Sequence, residues 1–138
     1  MASTLPLADR AALALAVPLV HALGARLFDP EDPPSGVVLT VEGIAGNGAG
    51  GAHASALSAL LELAGYLALA PRLADDEHAV SHAVALQLIA AAPVGSEVRA
   101  TARLDRRGSR LAFLTASATV ADHVVARAQL TKSIVPFR

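Results

Sequence analysis

The run Asn47-Gly48-Ala49-Gly50-Gly51-Ala52-His53 leads directly into an apolar segment, residues 54–70, that ends at Pro71. A glycine-rich loop thus closes on a histidine and opens a helix, which proline then stops. The segment is apolar on every side, the pattern of a helix buried in a core. It is too short and too interrupted to be a convincing membrane span. Its single charge is Glu62. A lone carboxylate in apolar surroundings is costly to bury unless something satisfies or uses it. Glu62 is therefore the residue that needs an explanation.

Outward from this helix the chain turns to β structure. Upstream, residues 25–28 and the β-branched residues 37–42 read as two extended segments, separated by the turn-rich residues 30–36. Downstream, residues 72–78 form a polar connector, and 81–89 a strand. Residues 98–106 alternate cleanly, with Val98, Ala100, Ala102 and Leu104 on one face and Arg99, Thr101, Arg103 and Asp105 on the other. Arg107-Gly108-Ser109 signals a hairpin turn. Residues 111–121 form the next strand, Asp122-His123 a turn, and 124–134 the last strand. The order strand, strand, buried helix, antiparallel strands predicts an α+β fold in which a curved antiparallel sheet wraps one long central helix.

Composition narrows the function. The 138 residues suffice for one domain, residues 1–138, with roughly the first 20 as a short helical extension. Hydrophobic residues make up 54%, much of it alanine, whereas aromatic residues make up 3%, too few for a single-strand stacking platform. A net charge of −1 gives no drive toward nucleic acid or an anionic membrane. With no cysteine, disulfides, thiolate catalysis and iron–sulfur sites are excluded. Residues 11–23 could suggest a leader, but Asp9-Arg10 before them is neutral overall and Pro18 interrupts the run. A short amphipathic helix and a cytoplasmic protein are expected.

Several residues could carry chemistry. The glycine loop fits neither a Walker A motif nor a dinucleotide fingerprint. It could cradle a ligand against its backbone, at Gly51 for instance, or simply supply positive φ and close approach. His53 could act on a substrate or only cap the helix. Glu62 lies nine residues further on, roughly 13 Å along a helix axis, so the two can meet only if a second subunit brings its loop to the first subunit's helix. His21, His78, His82 and His123 have no zinc-site spacing, and no metal is expected. Ser55 and Ser58 lack a nucleophile-elbow context. Arg99, Arg103, Arg106, Arg107 and Arg110 cluster on one strand face and its hairpin, either as a solvated edge or as a dock for coenzyme phosphates.

Together these features resemble the hotdog-fold acyl-CoA thioesterases of the PaaI / 4-hydroxybenzoyl-CoA type. That family carries an asparagine, a histidine six residues on, and an acid nine beyond it; here these are Asn47, His53 and Glu62. Leu63-Ala64-Gly65, Ala79-Val80-Ser81 and Ala92-Pro93-Val94-Gly95 extend the likeness over about residues 20–135. The resemblance implies that Glu62 is the general base or nucleophile at the thioester carbonyl. It implies that the Ala54 N–H forms the oxyanion hole, and that Asn47 and His53 orient water or substrate from the neighbouring subunit. Ser81 would help hold the water beside the carboxylate. Gly51 and Ser55, with Arg107 and Arg110 toward the coenzyme, would contact the substrate. The family's His-Gly-Gly is here His53-Ala54-Ser55, and its commoner aspartate is Glu62. The implied assembly is a homodimer or a dimer of dimers, with coenzyme A as part of the substrate and no separate cofactor. A hotdog hydratase or dehydratase, and a module that binds acyl-CoA without cleaving it, are the alternatives.

Overall fold

Six antiparallel strands form one sheet in the order β1-β2-β4-β5-β6-β3. They are β1 (Arg26–Leu27), β2 (Val37–Thr40), β3 (Glu77–Leu88), β4 (Glu97–Arg107), β5 (Leu111–Val120) and β6 (His123–Pro136). The sheet curls around α3 (Ala54–Leu69), which gives the α+β hotdog architecture expected from the sequence. Two further helices, α1 (Leu7–Leu15) and α2 (Pro18–Leu23), precede the sheet. The computed structural model describes residues 5–137, so residues 1–4 and 138 of the expected domain lie outside it.

Alanine lines the face of the sheet that meets the helix. Ala100, Ala112, Ala116, Ala118, Ala126 and Ala128 are all buried there, opposite Leu57, Leu60, Leu61 and Leu67 of α3. Small residues on the sheet leave room for large ones on the helix, and each buried leucine contributes about 1.5–3 kcal/mol. At Gly65 the approach is closest: a Cβ there would lie 2.5 Å from Leu130 Cδ1. By length and composition α3 and the 3₁₀ turn after it could cross a membrane, but most of that stretch is buried inside the chain.

Several boundaries differ from the sequence reading. The segment at residues 11–23 is two helices, because Pro18 begins the second one, where its fixed φ suits a first turn. β3 starts four residues earlier than residue 81, and its early part pairs with the end of β6. The last hairpin turns at Ala121 and Asp122, both at positive φ, one residue before the expected place. Nor is α3 apolar all round. Ser55, Ser58, Ala59 and Glu62 form a stripe at helical spacing that stays partly or fully exposed.

The arginine patch is also revised. A register shift between Leu104 and Arg106 makes a bulge in β4, so Arg106 pairs with Phe113 and Arg107 with the buried Ala112. One extra residue reverses every side chain beyond it. Arg107 therefore turns to the helix side, away from Arg103, and its guanidinium bonds the Glu77 carboxylate. The Ala74 N–H and this guanidinium hold the Glu77 carboxyl below its usual range. Arg110 is left exposed in the loop. The two thus differ in burial and in bonding.

Arg10 locks α1 onto this framework. It is only 1% exposed, and it donates to the Ala74 carbonyl at 2.6 Å and the Glu77 carbonyl at 3.0 Å. It also reaches Tyr66 Oη at 3.4 Å and lies over the Phe137 ring. Arg10→Ala strands those carbonyls and empties a buried volume. It should lower unfolding stability by roughly 2–4 kcal/mol in urea titrations.

Candidate active site

Glu62 sits on the open stripe of α3, where its Oε2 accepts from Ser58 Oγ at 3.0 Å, one helical turn back. Its other carboxylate oxygen has no partner among the described residues. The side chain faces a cleft of about 510 Å³, to which Ser81 and Lys132 also contribute. Leu13, Val17 and Leu19 of the two N-terminal helices form an apolar wall across from it. A polar wall comes from Tyr66 and His78, whose Oη and Nδ1 lie 3.3 Å apart. Burial, together with the charges of Arg10 and Lys132, holds His78 below its usual value. Its ring stacks on Phe137.

Ser81 reaches this cleft at a break in β3. A register shift between Ser81 and Ala83 leaves His82 as the extra residue, and such bulges re-aim side chains beside active sites. Ser81 Oγ accepts from Lys132 Nζ at 3.1 Å, and the same ammonium donates to the Glu62 backbone oxygen at 3.0 Å. Lys132 is thus a site residue that the sequence reading passed over. The signal was present, since Ala126, Ala128 and Leu130 face inward and the same alternation carried two residues on places Lys132 among them. Ser58, four residues before Glu62, was equally available from helical spacing.

The glycine loop lies elsewhere. Asn47 Oδ1 accepts from the Ala49 and Gly51 N–H groups at 2.7 and 3.2 Å, and its amide nitrogen donates to the Ala52 carbonyl. Its side chain therefore shapes the loop. Gly51 packs against residue 92, where a Cβ would lie 3.3 Å from the Ala92 oxygen. Asn47 and Gly51 line a second cleft of about 340 Å³ with Leu57 and residues 88–92, and it shares no residue with the first. Within one subunit the structure does not bring Asn47 together with Glu62.

His53 is the N-cap of α3, and its Nδ1 accepts from the Ser55 N–H at 3.0 Å. The His53 carbonyl takes the N–H groups of Ala56 and Leu57. That leaves the Ala54 N–H as the donor at this helix end with no partner among the described residues. Ser55 is exposed, with its own N–H committed to the cap. Alanine in place of the family's glycine thus keeps the donor open, at the positive end of the helix.

A family model for fluoroacetyl-CoA-specific thioesterases matches residues 46–138, a stretch that begins at this loop and runs through β6. The chain belongs to the fluoroacetyl-CoA-specific thioesterase family. By family it is an acyl-CoA thioesterase. Solved structures share its fold. A thioesterase from Haemophilus influenzae is 18% identical, with 97% of this chain and 93% of that one covered and a TM-score of 0.82. The PaaI protein of the Escherichia coli phenylacetic acid degradation operon is 20% identical, with 94% of each chain covered and a TM-score of 0.76. A Bacillus halodurans protein solved with CoA is 16% identical, covers 93% of this chain and 85% of its own, and has a TM-score of 0.77. No curated protein matches the chain in sequence.

The cap at His53 is testable apart from chemistry. His53→Ala should cost about 1 kcal/mol in urea unfolding, and His53→Asn, a good N-cap, should restore most of it.

Proposed function

We propose that the protein hydrolyses an acyl-CoA to the free acid and CoA, with Glu62 as the general base that activates water. The reading is carried by one observation: a carboxylate with one oxygen unpartnered among the described residues lines a cleft that has an apolar wall. Water attacks the thioester carbon while Glu62 takes its proton, and the carbonyl electrons move to oxygen. Collapse breaks the carbon–sulfur bond, and the proton passes to the leaving CoA sulfur. Ser81 helps place the water, and Leu13, Val17 and Leu19 pack on the acyl group. The reaction draws on no cofactor. The family's name makes fluoroacetyl-CoA the first ester to assay, and the CoA held by the Bacillus halodurans relative supports a CoA thioester as substrate.

The oxyanion donor in this proposal is the Ala54 N–H of a second subunit, in a homodimer. β3 is an edge strand 12 residues long, with Val80, Val84 and Leu88 exposed along it. A bare apolar edge is a template for pairing with another chain. Two-fold antiparallel pairing centred near Val84 sets the partner's Leu88 opposite Val80. The cleft beside Leu88, with its glycine loop, then comes to the cleft beside Val80 and Ser81, where Glu62 lies. His53 and Asn47 act there by holding the loop and helix end in shape, and Gly51 and Ser55 lie against the incoming substrate.

Glu62→Gln should lower turnover of every cleaved acyl-CoA by roughly 10²–10⁴ in a thiol-release assay, with the dimer intact. Retained turnover would remove Glu62 from the mechanism. Ala54→Pro takes away only the donor N–H, because proline suits the first helical position and His53, at φ −67° and ψ 137°, already has the backbone that precedes proline. That variant should fold and lose about 10²–10³ in kcat. Refolding the two inactive variants together should recover roughly a quarter of wild-type turnover, because each mixed dimer holds one intact site. No recovery would place the site within one subunit.

A further inference from the structure

Lys132 is the only lysine in the chain, and the fold leaves it 4% exposed. Its two hydrogen-bond partners, the Glu62 backbone oxygen and Ser81 Oγ, are both neutral. A neutral donor could make either bond, whereas a buried ammonium carries a large desolvation cost. What the charge adds is attraction to a nearby anion, and the carboxylate of Glu62 is on the wall of the same cleft. An ammonium also has three donors, and the two bonds leave one over.

We infer that Lys132 is a positioning residue for Glu62: its two hydrogen bonds hold the turn of α3 that carries the carboxylate against β3, and its charge attracts and orients that carboxylate, so that neutralising Lys132 slows hydrolysis. The inference rests on the reading of Glu62 given above. Burial pushes Lys132 down to about 8, against the opposing pull of Glu62. The ammonium is therefore charged below about pH 8 and neutral above it, and hydrolysis should fall as pH rises through that value.

From β3, Lys132 faces His78, which burial, with the charges of Arg10 and of Lys132 itself, holds below its usual value. From α1, the Arg10 guanidinium reaches Tyr66 of α3. From β5 the residue opposite is Ala112, which has no charge.

The test has two arms. In the first, kcat/KM is followed across pH. The wild type should decline above about pH 8, whereas Lys132→Met should be lower by about a hundredfold at neutral pH and show no such decline. The second arm needs no turnover. Because there is one lysine, protein labelled at lysine Cε gives a single side-chain resonance by NMR. Its midpoint is expected near 8, and lower still in Glu62→Gln. An ordinary lysine midpoint of about 10.4, or one that Glu62→Gln leaves unmoved, would overturn the inference. So would an alkaline decline that survives in Lys132→Met. Full activity of Glu62→Gln sinks the catalytic reading as well, whereas the resonance alone decides whether lysine and carboxylate are coupled.

Discussion

Close packing of one leucine-rich helix on an alanine-lined sheet is the constraint from which the other features follow. Six buried alanines on β4, β5 and β6 let α3 lie low in the curl of the sheet, and Gly65 removes the last obstacle at Leu130. The helix then buries all but one stripe. A charge on any other face would be stranded in the core, whereas on this stripe Glu62 reaches a cleft and still bonds Ser58. The same closeness brings the end of β6 beneath the helix, so that Lys132 meets the Glu62 backbone. Packing density and site geometry thus have one cause.

Small irregularities in the strands then aim the polar groups. A bulge in β3 accompanies the turn of Ser81 toward the cleft, and one in β4 takes Arg107 from the outer face to the inner. Without the second bulge, Glu77 would lack its arginine partner near the start of β3, next to His78. Arg10 closes the same corner from α1, tying the N-terminal helices over the cleft through the carbonyls of Ala74 and Glu77. The apolar wall formed by Leu13, Val17 and Leu19 therefore depends on a buried cation at its edge.

The opposite end of α3 has a different logic. Asn47 closes the glycine loop on itself and His53 caps the helix, and the Ala54 N–H is left with no partner among the described residues. That donor and the Glu62 carboxylate belong to two clefts with no residue in common. The exposed edge of β3 runs alongside both, which is why the proposed dimer pairs along that edge.

Much of this was legible in the sequence. The glycine loop, the single charge in an apolar helix and the period-two strands after it determined the α+β class, the central helix and Glu62 as the residue to explain, because periodicity and burial cost are local properties. A separation of nine residues also established that His53 and Glu62 could not meet on one helix. What only the tertiary structure decided were the effects of register and long-range contact. No local pattern marks a bulge, so the arginines read as one face when β4 places them on two. Nothing local marked Arg10 or Lys132 as buried cations, since the backbone oxygens they bond lie more than 50 residues away in sequence. Alternation assigned the inward face, but only the packed helix showed what a lysine on that face would touch.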